Sequence, residues 1–311
     1  MPLNMRLLWI QPGAIGDFVV SMPGMVWVRE TLKPTWFEVW AERANLPLVQ
    51  APGQADRAVA LADTGIDRYA LPEGLLDRLR EFDLVLSWWG TGVATVTRMH
   101  PNSYFLKALP QGTSHHILDF KRSQLEALFS PASADFPPHP TIYWTPEDIQ
   151  FAKRCLEDCQ DQAVAVVHPG ASGEGKRWPA IGFASVADWL VARGMRVLLA
   201  EGPLDRSATD EIARLAAASA HPFEIQRLRI GNLRQLSAVL GLCALYVGND
   251  SGISHLAAAS GTPTLAIFTV TAPQVWAPRG PNVWICVNPT VDEVWAKLND
   301  EVLRRERLPS V

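Results

Sequence analysis

The sequence predicts an α/β protein of two halves, each a mostly parallel sheet flanked by helices. Three observations carry this. Short apolar runs end at turn residues and feed stretches of helical period, the grammar of βαβ units. That grammar occurs twice: Arg6-Leu7-Leu8-Trp9-Ile10 runs into Gln11-Pro12-Gly13-Ala14, and Ala163 to Val167 runs into His168-Pro169-Gly170-Ala171. The two Pro-Gly-Ala turns lie 157 positions apart in a chain of 311 residues, and at roughly 100–200 residues per domain that length suits two domains.

Taken in order, the first strand is Arg6–Ile10, followed by a helix from about Gly16 to Thr31. Phe37–Trp40, Ala58–Leu61 and Leu84–Ser87 read as further strands of the first half. The proline cluster Phe136-Pro137-Pro138-His139-Pro140 can continue neither a helix nor a central strand, which puts a linker at about residues 131–145. The second half repeats the pattern with strands at Arg196–Ala200, Ala244–Val247 and Thr264–Phe268, and with amphipathic helices at Phe183–Arg193 and Arg206–Ser219. The expected domains are therefore 1–145 and 146–290, with a final amphipathic helix within 291–311.

Composition narrows the function. Hydrophobic residues make up 48% and charged residues 19%, too apolar for a disordered chain. No apolar run approaches the ~18 residues of a membrane span, and the first ten residues lack the features of a signal peptide. Cys155, Cys159, Cys243 and Cys286 have no ligand spacing, which reads as a reduced, cytoplasmic chain with neither a disulfide frame nor a zinc site. A net charge of −4 disfavours binding of nucleic acid by phosphate neutralisation. Residues 1–150 hold 12 Lys and Arg against 16 Asp and Glu, while residues 151–311 hold 16 of each.

Three segments carry chemistry. The first is Val247-Gly248-Asn249-Asp250-Ser251-Gly252-Ile253-Ser254-His255, where an apolar strand ends and Asp250 or Ser251 can cap a helix of small residues that stops at Gly261. The free N–H groups and dipole of such a helix start favour an anion; the competing reading is an ordinary capped helix packed on a sheet. The second is Gly170-Ala171-Ser172-Gly173-Glu174-Gly175-Lys176-Arg177-Trp178-Pro179. Its glycines, point charge at Lys176 and fork at Arg177 can cradle a phosphate, or can be a solvated basic loop. It lacks the spacing of a Walker A loop. The third is Gly13-Ala14-Ile15-Gly16-Asp17-Phe18 at the end of the first strand, the edge at which open α/β sheets bind ligands. Asp17 is there either a partner of the helix dipole or a general base.

These segments, in this order, resemble glycosyltransferase family 9, the ADP-heptose:lipopolysaccharide heptosyltransferases; the likeness runs through Gly13–Pro23, His168–Phe183 and Gly248–Phe268. The resemblance implies a GT-B fold: two Rossmann-like domains with mostly parallel sheets facing a central cleft, and a C-terminal helix that packs back on the N-terminal domain. It implies an inverting, metal-independent transfer of heptose or a related sugar. The nucleotide-sugar donor would be ADP-heptose, held by the C-terminal domain, and no cofactor would be required. The acceptor, held by the N-terminal domain, would be a lipopolysaccharide core or other cell-envelope glycolipid, reached in the cytoplasm or at the cytoplasmic face of the inner membrane. By the same resemblance Asp17 is the general base, Lys176 and Ser172 meet the diphosphate, and Asp250, Ser251, Gly252 and His255 cradle diphosphate and sugar. Gly13, Gly16 and Arg177 are further candidates, and Asp205 or Glu201 would hold the ribose.

The family's Phe-Gly-Pro-Thr turn after the last strand reads here Phe268-Thr269-Val270-Thr271-Ala272-Pro273. Thr271 is kept and the glycine is lost, which puts close backbone approach at Thr269 in question. The acidic first half also suits an anionic acceptor poorly unless Arg98, Lys107, Lys121 and Arg122 form a patch. Trp88-Trp89, beside Gly90, reads first as core packing and second as a face on which a sugar stacks. The alternatives are a nucleotide-sugar epimerase-like enzyme and a degenerate nucleotide-sugar-binding protein. A dehydrogenase is weaker, because Gly13 and Gly16 do not make a G-x-G-x-x-G fingerprint.

Overall fold

The computed structural model describes residues 4–65, 74–88, 100–110, 115–130, 134–159, 162–219 and 225–301. The chain divides into two compact units, Met1–Thr145 with Asn232–Arg234, and Pro146–Gly231 with Gln235–Val311.

The first unit is a five-stranded sheet of order β3-β2-β1-β4-β5, built from β1 (Arg6–Gln11), β2 (Trp36–Ala41), β3 (Arg57–Ala60), β4 (Leu84–Ser87) and β5 (Ser103–Phe105). All four pairings are parallel. Leu7, Leu8, Trp9 and Ile10 of β1 are at most 1% exposed, as a central parallel strand covered on both faces requires. The helix expected over Gly16–Thr31 is two: α1 (Ile15–Val19) and α2 (Met22–Leu32). Pro23 has no N–H to continue the ladder, so it occupies the first turn of α2, where that loss costs nothing. The unit also contains α3 (Leu75–Leu79) and α4 (Ile117–Phe129). A Cβ at Gly24 would stand 2.7 Å from Leu125 Cδ1, so α2 and α4 approach closely there.

The second unit opens with α5 (Pro146–Cys155) and has a six-stranded parallel sheet of order β11-β10-β9-β6-β7-β8. Its strands are β6 (Val164–His168), β7 (Arg196–Ala200), β8 (Gln226–Leu228), β9 (Leu245–Asn249), β10 (Thr264–Phe268) and β11 (Val283–Val287). Between them run α6 (Ala180–Val191), α7 (Arg206–Ala217), α8 (Leu233–Gly241), α9 (Gly252–Ala259) and α10 (Pro273–Trp276). The strands unforeseen in the sequence, β5, β8 and β11, are sheet edges; the first two have three residues each and the third is half-exposed, so none presents a long buried run.

In each sheet the first strand is central and the order reverses beside it, between β1 and β4 and between β6 and β9. Both Pro-Gly-Ala turns therefore leave a first strand at a topological switch point, where doubly wound sheets take their ligands. The final helix is α11 (Val291–Glu301). Its Val294 and Leu298 are 0% and 2% exposed and belong to the second unit's core with Phe183, Val186 and Leu190 of α6. Over the residues described, its apolar stripe packs on its own unit; 302–311 lie outside them. Leu298→Ala is expected to destabilise the protein by about 2–5 kcal/mol, and Asn299→Ala, on the exposed face, by no more than about 0.5 kcal/mol. Urea unfolding followed by tryptophan fluorescence checks both, and equal small effects would mean that α11 is loosely held.

Candidate active site

The switch point of the second sheet gathers two of the three segments. β9 ends in Asn249, which is fully buried. Its Nδ2 donates to the Pro169 carbonyl at 2.7 Å, and its Oδ1 accepts from the Trp178 N–H at 2.9 Å. One amide thus fastens both ends of the loop Gly170–Arg177 to the strand that leads into α9. Trp178 completes the anchor: its indole N–H donates to the Pro289 carbonyl at 2.9 Å, and a Cβ at Gly182 would lie 2.5 Å from its ring.

Asp250 follows, 5% exposed. Its Oδ2 accepts from Lys176 Nζ at 2.7 Å and from Thr271 Oγ1 at 2.6 Å. One carboxylate oxygen so joins the glycine-rich loop, the start of α9 and the turn after β10. Thr269, which stands where the family carries glycine, donates from Oγ1 to the Gly175 carbonyl at 2.6 Å, so the departure adds a tie between the same two loops. Ser251, not Asp250, caps α9, its side chain accepting from the Ser254 N–H. Gly261 follows the helix at φ +79°, the left-handed position expected of it. His255 is buried within α9, and Gly252 is the helix's first residue.

Other candidates stand apart from this cluster. Ser172 is exposed on the loop, and Arg177 turns back to the Ala171 carbonyl at 3.3 Å. Both acids considered for the ribose have internal partners. Glu201 accepts from Arg229 Nε at 2.6 Å, from Arg227 Nη1 at 2.8 Å and from Thr209; these bonds hold its carboxyl down to about 2. Asp205 accepts from His168 Nε2 at 3.2 Å and from the Gly202 N–H at 2.9 Å, and the bond from His168 lowers it.

In the first unit, Gly13 at φ +108° turns the chain out of β1. A Cβ there would come within 3.0 Å of Asp17 Oδ2, so the glycine makes room for the carboxylate. Asp17 is half-buried in the first turn of α1, and its Oδ2 accepts from the Ala14 N–H at 3.2 Å. Gly16 lies within that turn. Asn45 Nδ2 donates to the Gly13 carbonyl at 3.2 Å. Trp88 is core, 1% exposed and 5.6 Å from the ring of Trp9; Trp89, Gly90 and Arg98 lie outside the described residues. Lys121 is no surface cation. It is 3% exposed, with Nζ 4.0 Å from the Trp88 ring centroid. Burial pushes it down from the ordinary 10.5 to about 7, and the nearby charge of Asp17 partly restores it. Of the expected basic patch, Lys107 is exposed and Arg122 pairs with Glu126 at 2.7 Å.

No helix among the described residues is long and apolar enough to cross a membrane. Among them no group of three or more His, Cys, Asp or Glu could hold a metal ion, and the four cysteines are free thiols.

Two parallel sheets with the 3-2-1-4-5 order of a Rossmann-like domain at their centres give the chain the GT-B fold of the heptosyltransferases it is similar to. The chain belongs to glycosyltransferase family 9 (heptosyltransferase), whose family model matches residues 111–298. It is 32% identical to lipooligosaccharide heptosyltransferase 2 of Haemophilus influenzae over 111 residues, 35% of this chain and 32% of that protein; it thus spans about a third of that relative's length. It is 22% identical over 303 residues to lipopolysaccharide heptosyltransferase 3 of Escherichia coli K12, which covers 86% of this chain and 83% of that one. Its fold is that of the E. coli ADP-heptose lps heptosyltransferase II, with a TM-score of 0.77, 21% identity, and 97% and 100% of the two chains covered. The E. coli heptosyltransferase WaaC with ADP gives a TM-score of 0.69 at 20% identity, with 96% and 100% covered.

Lys121 provides a test of the first unit. A lysine whose folded value lies below its unfolded one binds fewer protons when folded, so stability is expected to rise as pH climbs from about 7 towards 10.5. Lys121→Met keeps the stem and removes the ammonium. It is expected to raise the urea midpoint at neutral pH and to flatten that rise. Parallel curves for the two proteins would show that the lysine is not held in a dry site.

Proposed function

We propose that this chain is an inverting glycosyltransferase that moves heptose from ADP-heptose to an acceptor hydroxyl of the lipopolysaccharide core. The single observation that carries the reading is the Asp250 carboxylate, bound to both Lys176 and Thr271 at the start of α9. That arrangement puts a cation and free helical N–H groups in one place, the charge a departing nucleoside diphosphate needs. The ADP donor is supported by WaaC, a structural neighbour solved with ADP, and the acceptor class by relatives named lipopolysaccharide heptosyltransferases. The reaction would take place in the cytoplasm, with peripheral contact at the inner membrane where the glycolipid resides.

In this reading Asp17 takes the proton of the attacking hydroxyl as its oxygen bonds to the anomeric carbon, and the bond from that carbon to the diphosphate oxygen breaks on the opposite face. The configuration inverts. Lys176 and the N–H groups at the start of α9 stabilise the charge gathered on the diphosphate, with Gly252 leaving room for close approach. The reaction needs no further cofactor in this account.

Asp17→Asn keeps the shape of the side chain and loses its basicity. Its transfer rate is expected to fall by about 10²–10⁴-fold, while ADP affinity by calorimetry stays near wild type. Normal turnover by this variant would remove the base assignment. Lys176→Ala is expected to weaken ADP binding by about ten- to a hundredfold, because it removes a charged hydrogen bond and leaves the Asp250 carboxylate without its counter-ion beside the anion. The anomeric configuration of the product, read by NMR, tests inversion.

A further inference from the structure

The Asp17 carboxylate is held through one oxygen. Its Oδ2 accepts from the Ala14 N–H at 3.2 Å, while among the described residues Oδ1 has no hydrogen-bond partner. The backbone of α1 is anchored separately: the Asp17 carbonyl accepts from Ser21 Oγ at 2.8 Å, and the Phe18 N–H donates to the Ala14 carbonyl at 3.1 Å. The direction of the side chain therefore depends on where the Ala14 N–H points.

That N–H belongs to the peptide unit joining Gly13 to Ala14. A trans peptide unit is planar, with its C=O and N–H on opposite sides, so whatever holds the Gly13 carbonyl also aims the Ala14 N–H. The carbonyl accepts from Asn45 Nδ2 at 3.2 Å. A carbonyl oxygen only accepts, which assigns the amide nitrogen to that contact. Asn45 is 1% exposed and lies in the 3₁₀ turn Arg43–Val49 after β2, which Leu48 and Val49 bury. Its own Oδ1 has no partner among the described residues, so burying this amide costs stability that an apolar residue of the same size would not. Stability alone does not account for an asparagine here. Gly13 supplies the need for one. Without a Cβ it sits at φ +108° with the carboxylate close against it, and the same freedom lets its peptide plane turn when nothing holds the carbonyl.

The other Pro-Gly-Ala turn carries the same restraint, since Asn249 Nδ2 holds the Pro169 carbonyl at 2.7 Å. Asn45 follows β2, on one side of the first strand of its sheet, and Asn249 ends β9, on the other side of β6. The two turns thus obtain one restraint from non-equivalent positions.

We propose that Asn45 is a positioning residue for Asp17: by fixing the Gly13–Ala14 peptide it keeps Oδ2 tied and leaves Oδ1 as the oxygen that meets the acceptor hydroxyl. The proposal rests on the reading of Asp17 as the general base. The proton then passes from the hydroxyl to Oδ1 as the hydroxyl oxygen bonds to the anomeric carbon, and the diphosphate leaves with the electron pair of its broken bond.

Asn45→Leu in the full chain keeps the size of the side chain and removes both the donor and the unpartnered oxygen; Asn45→Ala replaces it should the leucine variant fail to fold. For transfer from ADP-heptose to a lipopolysaccharide-core acceptor, kcat is expected to fall by about ten- to a hundredfold. The KM for ADP-heptose and the calorimetric affinity for ADP are expected to stay near wild type. A double-mutant cycle separates positioning from a general loss of structure. With Asp17→Asn already in place, adding Asn45→Leu is expected to change the rate by less than about twofold. Losses that multiply, or a wild-type kcat in Asn45→Leu while Asp17→Asn is impaired, would overturn the proposal and leave the base standing. Full turnover by Asp17→Asn alone would remove the base, and the role of Asn45 in catalysis with it. A crystal structure of Asn45→Leu gives a readout that needs no turnover: the Ala14 N–H is expected to have left Asp17 Oδ2. An unmoved peptide plane and carboxylate would overturn the positioning even in a chain that transferred nothing.

Discussion

The geometry of the second unit depends on the side-chain amide of Asn249. A fully buried amide must find partners for its donors and acceptor or bear the cost of desolvation, about 1–3 kcal/mol for each group left unmade. Asn249 finds them in the backbone on either side of one loop, at Pro169 and Trp178. The loop therefore has little freedom to drift from the strand end. With it fixed, Lys176 lies within reach of Asp250, and Thr269 within reach of Gly175. The cation, the helix start and the turn after β10 are thus placed by one neutral residue that carries no charge to any ligand.

Much of this was legible in the sequence. The repeated Pro-Gly-Ala turn marks both switch points, because a chain leaving a central parallel strand needs the same sharp exit in each half. Thr264–Phe268 and Leu84–Ser87 appear at the expected residues because they are continuous buried runs. The chemistry of Lys176 and Asp250 was visible as residue types, but their pairing was not, since 74 positions separate them. The role of Asn249 is not legible for a physical reason: it reads as one more polar turn residue until the strand is known to bury it completely. Its one signal was position, a lone amide between a buried strand and an acid.

Two other features arise from burial that a one-dimensional pattern does not register. Lys121 looks like a surface cation on an amphipathic helix, yet the close packing of α2 on α4 at Gly24 and Leu125 draws that face inward, and its ammonium sits over Trp88. The final helix has an apolar stripe that could serve any neighbour, and α6 takes it through Val294 and Leu298. In both cases the partner, not the periodicity, decides the outcome.

The pairing of Lys176 with Asp250 has a consequence for the strength of any anion bound there. The lysine already has a counter-ion 2.7 Å away, so an incoming anion gains only the difference between two attractions, not a full new one. Such exchange limits how tightly any anion is held there. A site that competes with its own carboxylate favours quick release of what it binds.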